Sequence, residues 1–223
     1  MKKNFIMNVS YQFLCICLPF IVTPYVSRVF GAEGIGVFSY NMTVASYFGL
    51  FIILGLNNYG NREVAMNRGD MNRLSSLFIN IYMMQVLAGI LVLSVYGGYC
   101  VSIAKTTISC VFGVYLLSYL FDINWFFFGM EEFKITVIRN TIIKLVTTVL
   151  TLTLVREEDD LIIYVMITVV SYLLTQLSIW PFLKGRIRLV KPGWKEIKRH
   201  MAPNLILFIP VLGVSLYNMM DKV

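Results

Sequence analysis

The sequence has little charge, almost no histidine and few cysteines. Only 14% of its 223 residues are charged, whereas 58% are hydrophobic. Soluble domains carry about 25% charged residues and about 45–50% apolar ones. This composition excludes an ordinary soluble enzyme or binding domain. The length is better counted in bilayer crossings, which take about 20 apolar residues each.

Catalytic sequence motifs are also absent. There is no Walker A sequence, no His-Glu-x-x-His and no Gly-x-Ser-x-Gly, so ATPases, zinc proteases and serine hydrolases are not indicated. A histidine-based dyad would have to use His200, the single histidine, which lies in a basic stretch. The sequence therefore predicts a protein that is not an enzyme and holds no cofactor or metal.

The four cysteines, Cys15, Cys17, Cys100 and Cys110, lie in or beside apolar runs without nearby histidines. This pattern is typical of small buried hydrophobic residues and not of a metal site. The net charge of +7 could indicate nucleic acid, but the basic residues cluster between hydrophobic runs. We therefore expect no nucleic-acid partner, and contacts with the phospholipid headgroups of a bilayer instead.

Six hydrophobic runs are long enough to cross a membrane, and a seventh begins near Pro203. The runs are Phe5–Val26, Ile35–Leu56, Leu74–Tyr96, Thr107–Phe128, Ile135–Val155 and Leu161–Leu183. Loops are predicted at Ser27–Glu33, Asn57–Arg73 and Lys184–His200, with an acidic turn at Arg156–Asp160. The sequence predicts an all-α polytopic membrane protein with a six-helix lobe, residues 1–202, followed by the start of a seventh span, residues 203–223.

The distribution of basic residues predicts the orientation of these spans. If the N-terminus is cytoplasmic, all but four of the nineteen lysines and arginines fall on the cytoplasmic side. The exceptions are Arg28, Lys105, Arg156 and Lys222. Because cytoplasmic loops of membrane proteins are enriched in Lys and Arg, we predict a multi-pass protein with a cytoplasmic N-terminus.

Polar side chains inside the spans recur at helical spacing. Asn8 and Gln12 share one face of the first span, and Asn140 and Lys144 one face of the fifth. Threonines extend the stripe on the fifth span, and a Thr/Ser stripe runs along the sixth. Small hydroxyls and amides either connect neighbouring helices or line a water-filled cavity.

Charged side chains within the spans favour the cavity. A charged residue at a helix centre costs about 2.5–3.5 kcal/mol on insertion scales. Asp122, Arg139 and Lys144 all lie within predicted spans. We therefore expect Lys144 to face a hydrated space or an internal ion pair. Asp122 and Arg139 lie nearer the cytoplasmic side, so either a functional or an interfacial position is open for them.

Three stretches of the sequence resemble bacterial polysaccharide flippases that carry O-antigen and capsule repeat units. They are Tyr25–Tyr40, Gly55–Glu63 and Asp122–Phe133, and the segment from Pro210 to Lys222 is also similar. These flippases belong to the multidrug/oligosaccharidyl-lipid/polysaccharide exporter superfamily. The resemblance marks Trp125, Gly129 and Glu131 as residues of a family motif. Family members usually have 12–14 spans in two lobes, so this chain resembles an N-terminal half.

The resemblance implies a function and a set of site residues. Family members move undecaprenyl-diphosphate-linked oligosaccharide across the bacterial plasma membrane by alternating access. Arg28, Arg139 and Lys144 would then pair with the diphosphate or with acidic sugars, and Asp122 would couple transport to H⁺ or Na⁺. Asn8, Gln12 and Asn140 would line the cavity. A polysaccharide polymerase and a chain-length regulator are implied as partners.

Three other functions remain open at this point. A multidrug or cation antiporter of the same superfamily would share the fold. A truncated remnant would not transport. A membrane enzyme of polysaccharide assembly would need a large loop or a catalytic histidine, and neither is visible.

Overall fold

The computed structural model describes the backbone of residues 2–220 and the side chains of residues 17–215 and 217. Within that part the protein consists of helices without a β-strand, so the predicted all-α fold class is confirmed. The α-helices are α1 Lys2–Ile53, α2 Leu56–Asn67, α3 Met71–Tyr99, α4 Thr107–Leu120, α5 Asn124–Gly129, α6 Phe133–Leu154, α7 Leu161–Leu177 and α8 Trp194–Met220. A π-helical turn, Cys100–Ala104, and two 3₁₀ turns, Glu158–Asp160 and Trp180–Leu183, complete the helical elements.

Five helical segments in the described residues are long and apolar enough to cross a membrane, which makes the chain a multi-pass membrane protein. They are Cys17–Asn67, Met71–Ala104, Thr107–Gly129, Phe133–Leu154 and Glu158–Leu183. The first is 51 residues long, and a crossing takes about 20 residues. The predicted count of six spans and the start of a seventh remains a prediction.

The connection between the two parts of α1 is a single residue. Within α1 only Gly31 has non-helical backbone angles, with φ of +62°, a region that glycine adopts without steric cost. Residues 2–30, the first arm, and residues 32–53, the second arm, are helical on either side. The predicted loop Ser27–Glu33 is therefore wrong, because one glycine suffices for the turn.

The predicted loop Asn57–Arg73 is also wrong, because α2 occupies most of it. Leu56, Tyr59, Gly60 and Val64 are buried on one face of this helix, and that apolar face supports the helix although the segment is polar overall. Helix α2 packs against α5.

Three further boundaries differ from the prediction. Helix α8 begins at Trp194, inside the predicted loop Lys184–His200. The predicted fourth span, Thr107–Phe128, is interrupted at residues 121–123 between α4 and α5. The third span continues past the predicted end at Tyr96, because α3 runs to Tyr99 and into the π-helical turn. At the break between α4 and α5, side chains of other elements donate to the backbone carbonyls of Tyr119, Phe121 and Asp122.

The helices pack so that α6 and α7 lie against each other and α1 contacts both of them. Helix α7 also packs along α4, which in turn contacts α1 and α3. The rings of Phe30 and Phe38 lie on opposite sides of Gly31, and both contact Tyr164 of α7, with centroids 5.7 and 4.8 Å away. This arrangement leaves a space between the first arm, α6 and α7.

Candidate functional site

A cavity of about 520 Å³ lies between the first arm of α1, α6 and α7. Its lining is rich in hydroxyl and amide groups and contains one ammonium group. The polar lining residues are Thr23, Asn124, Asn140, Lys144, Thr147, Thr148, Thr151, Tyr164, Thr168, Ser171, Tyr172, Thr175 and Gln176. The polar faces predicted on the fifth and sixth spans thus lie on the same cavity.

Four hydroxyl groups of this lining are hydrogen-bonded within their own helices. Thr147, Thr168, Ser171 and Thr175 each donate to a carbonyl three or four residues earlier in their own helix, at 2.7–2.9 Å. Each oxygen keeps the capacity to accept a hydrogen bond. Of the two interpretations of the stripes, this pattern favours a hydrated lining over packing between helices.

Lys144 brings a positive charge to this cavity. It lies on α6 between Asn140 and Thr147. In the part of the chain with described side chains, no carboxylate lies within ion-pair distance of its Nζ atom. The expected internal ion pair is therefore not seen there, and the ammonium group is available to an anionic ligand.

A polar network joins three helices at the end of the cavity formed by Asn124 and Gln176. Asn124 Nδ2 donates to Asp122 Oδ1 at 2.7 Å and to Gln176 Oε1 at 2.9 Å. Asn124 Oδ1 accepts from Arg139 Nη2 at 2.9 Å. Asn124 therefore connects α5 with α6 and α7, and separates the carboxylate from the guanidinium.

Arg139 is only 7% exposed and does not line the cavity directly. Its Nε and Nη2 atoms donate to Asn140 Oδ1, at 3.2 and 3.0 Å. Because Asn140 does line the cavity, Arg139 polarises an amide that a ligand would contact. The side chain of Asn140 thus lies between the guanidinium group of Arg139 and the cavity.

The structure does not bring every predicted residue to this place. Arg28 is exposed, lies near the Gly31 turn and is not part of the cavity lining. The side chains of Asn8 and Gln12 lie outside the described residues. Of the three predicted cationic residues, only Lys144 lines this cavity.

The three motif residues have packing roles. Trp125 is fully buried and its ring lies on Gly60, while Gly129 packs against the Asn61 carbonyl and Val64. A Cβ atom at Gly129 would approach that carbonyl oxygen to 2.7 Å, so α2 and α5 meet where side chains are absent.

Glu131, the third motif residue, lies between α5 and α6. It has a φ of +59° and forms an ion pair with Arg68 at 2.8 Å. None of the three motif residues lines the cavity.

Sequence reasoning missed Asn124, Gln176 and Gln85 as candidate residues. Asn124 stands within the motif, but its partner Gln176 is 52 residues later, and only the packing of α7 brings them together. Gln85 could have been identified from the sequence, since it is an amide side chain in the middle of an apolar span.

The described residues contain no group of three or more histidine, cysteine, aspartate or glutamate side chains that could hold a metal ion. The polar lining offers amides, hydroxyls and one ammonium group instead. Such groups suit a hydroxyl-rich or anionic ligand.

Fold and cavity together define a multi-pass helical membrane protein with an open cavity that hydroxyl, amide and ammonium groups help to line. A family model described as "Polysaccharide biosynthesis protein" matches residues 1–223, and the chain belongs to this family. The expected membership of a polysaccharide flippase family is thereby confirmed.

Two relatives share the name "Putative O-antigen transporter". The protein from Shigella dysenteriae is 25% identical over 73% of this chain and 41% of its own length. The protein from Escherichia coli K12 is 21% identical over 98% of this chain and 54% of its own length. The chain thus spans about half the length of the curated relatives it matches. No solved structure matches the chain significantly.

Proposed function

We propose that the protein to which this chain contributes moves lipid-linked oligosaccharide, with undecaprenyl diphosphate as the carrier, across the bacterial plasma membrane. The relatives named as O-antigen transporters support this assignment at the level of the family. The lipid carrier, the sugar and the alternating-access mechanism belong to the proposal. The six-span lobe, the cytoplasmic N-terminus and cooperation with a polymerase and a chain-length regulator are part of it as well.

The cavity beside α1, α6 and α7 is the observation that carries the proposal. A sugar presents many hydroxyl groups, and hydroxyl and amide side chains exchange hydrogen bonds with them at little desolvation cost. The Lys144 ammonium supplies a charge-assisted hydrogen bond to a phosphate. The lipid tail would stay in the bilayer, against the apolar outer face of α6, where Ile142, Val146 and Val149 are exposed.

The same lining disfavours a cation antiporter. A lysine in the lining repels a cationic ligand, and the described lining contains neither aspartate nor glutamate to offset that charge. Asp122 accepts hydrogen bonds from the backbone N–H and the side chain of Asn124 and does not line the cavity. We propose Asp122 as the candidate for H⁺ or Na⁺ coupling.

Surface display of O-antigen tests the proposal. The full-length protein is expressed in cells that lack their own flippase, with Lys144→Met as the variant and Lys134→Met as the control, because Lys134 is exposed at the start of the same helix. Losing a charged hydrogen bond of about 1.5–3 kcal/mol lowers transport about 10- to 100-fold. Lys144→Arg keeps the charge and retains most of the activity.

Two results would contradict the proposal. Equal display by the Lys144→Met variant and the control would remove the cavity from the transport path. Absence of display from the full-length protein with every candidate oligosaccharide would instead favour a non-transporting remnant.

A further inference from the structure

The middle of α3 contains a buried glutamine, Gln85, that does not line the cavity. Gln85 is 0% exposed and lies at the break between α4 and α5. Its Nε2 atom donates to the carbonyl oxygens of Tyr119 at 2.7 Å and Asp122 at 2.9 Å. Its Oε1 atom accepts from Trp125 Nε1 at 3.3 Å. The nitrogen and the oxygen of the amide therefore both form hydrogen bonds with residues 119–125.

These contacts compensate for the end of a helix inside the protein. The last carbonyls of an α-helix have no partner within the helix, and a buried carbonyl without a partner costs about 1–3 kcal/mol. At the α4–α5 break the Tyr119 carbonyl accepts a long hydrogen bond from the Asp122 N–H, at 3.3 Å. Gln85 adds a donor to this carbonyl and to that of Asp122. Trp180 serves the same segment, donating from Nε1 to the Phe121 carbonyl at 3.0 Å.

The segment held in this way carries the polar network at the end of the cavity. Asp122 receives hydrogen bonds from both the backbone N–H and the side chain of Asn124. Asn124 in turn holds Arg139 and Gln176. The chain of contacts therefore runs from Gln85 on α3, through the break, to the cavity side of α6 and α7.

We propose that Gln85 is a positioning residue for the cavity, which acts by fixing the α4–α5 break and thereby the placement of Asn124. Gln85 does not line the cavity and does not touch a ligand. Without its amide, the break loses its hydrogen bonds to α3, and Asn124 is held less firmly between Arg139 and Gln176. The proposal rests on the assignment of this cavity as the transport site, but its test requires no transport.

The test measures how fast a cysteine in the cavity is labelled by a water-soluble thiol reagent. The full-length protein first has its native cysteines replaced by serine, and Thr175→Cys then places one thiol on the cavity side of α7, next to Gln176. Gln85→Met keeps the size of the side chain and removes its hydrogen bonds. Asn80→Leu is the matched control, because it removes another buried amide of α3 that contacts Ser76 and Gly193 instead.

We expect Gln85→Met, which removes three hydrogen bonds, to change the labelling rate at position 175 about five- to tenfold, and Asn80→Leu to leave it unchanged. Trp125→Phe removes one donor to Gln85 and changes the rate in the same direction by a smaller factor. It serves as the second variant if Gln85→Met does not fold.

A double-mutant cycle separates positioning from general stability. If Gln85 acts through Asn124, then Asn124→Ala alone changes the labelling rate and Gln85→Met adds little to it. Additive effects, or an equal effect of Asn80→Leu, would overturn the proposal. Loss of O-antigen display with an intact labelling pattern would count against the proposed function and not against the role of Gln85.

Discussion

Asp122 is held by two hydrogen bonds to one oxygen, because Asn124 donates both its backbone N–H and its side chain to Oδ1. We predict that Asp122→Asn, which removes the charge and alters these acceptors, lowers transport and abolishes its response to a collapsed proton or sodium gradient. Asp159→Asn, in the exposed acidic turn, is the control. Transport that stays fast and gradient-dependent in the Asp122 variant would dismiss Asp122 as the coupling group.

His200 forms a contact between α8 and α2. Its Nδ1 atom lies 2.6 Å from Tyr59 Oη. Burial lowers the pKa of His200 below its ordinary value of 6.5, although Glu63 and Glu196 oppose the shift. The folded protein therefore favours the neutral ring.

This shift makes stability depend on pH. In the unfolded chain a histidine binds its proton near pH 6.5, whereas in the folded protein it does so at a lower pH. The contribution of His200 is thus complete above about pH 6.5 and is lost as the pH falls through its folded pKa. We predict that the melting temperature in detergent drops between pH 7.5 and pH 5, and that the drop is smaller for His200→Gln than for the unchanged protein. An identical fall would contradict this prediction.

At the level of elements, the contact between α2 and α5 depends on glycine. A Cβ atom at Gly129 would lie 2.6 Å from Val64 Cβ, and a β-branched side chain on a helix cannot rotate away. We predict that Gly129→Ala destabilises the protein by about 1–3 kcal/mol, as overpacking does. Thermal unfolding in detergent measures the change.

Gly113 provides the control for this prediction. A Cβ atom there meets only Tyr96, at 3.9 Å, so Gly113→Ala gains the usual helix preference of about 0.5–1 kcal/mol. If both variants shifted the melting temperature in the same direction, the close approach of α2 and α5 would not matter for stability.

Several elements were predictable and others were not, for physical reasons. The polar faces of α6 and α7 followed from helical spacing, because residues four apart lie on one face. Hydropathy alone could not locate α2, whose buried face is narrow. It could not locate the break at residues 121–123 either, because that break is compensated by Gln85 from another helix.

The same limit applies to the site. Lys144 and Asn140 were predictable because a polar or charged side chain in an apolar span is costly in lipid and therefore faces protein or water. Asn124 and Gln176 became significant only through packing, since their contact joins distant parts of the chain. Arg28 was assigned by resemblance, and the structure places it outside the cavity.

For the whole molecule, the predicted orientation can be tested directly. We predict that Asp159→Cys, in a cysteine-free protein, reacts with a membrane-impermeant reagent in intact spheroplasts. Lys191→Cys, in the stretch between the 3₁₀ turn Trp180–Leu183 and α8, is expected to react only after permeabilisation. The reverse pattern would place the N-terminus outside. Labelling of both sites in intact spheroplasts would contradict the predicted number of crossings.

The single-residue turn at Gly31 has a consequence for any motion of the protein. Because only Gly31 separates the two arms of α1, we expect the arms to move together. The first arm borders the cavity, and the second arm is bonded to α4, where Ser109 donates to Asn41 Oδ1 at 2.5 Å. We therefore expect a displacement of the first arm to be passed on to α4, and expect glycines inserted at residue 31 to uncouple the two helices.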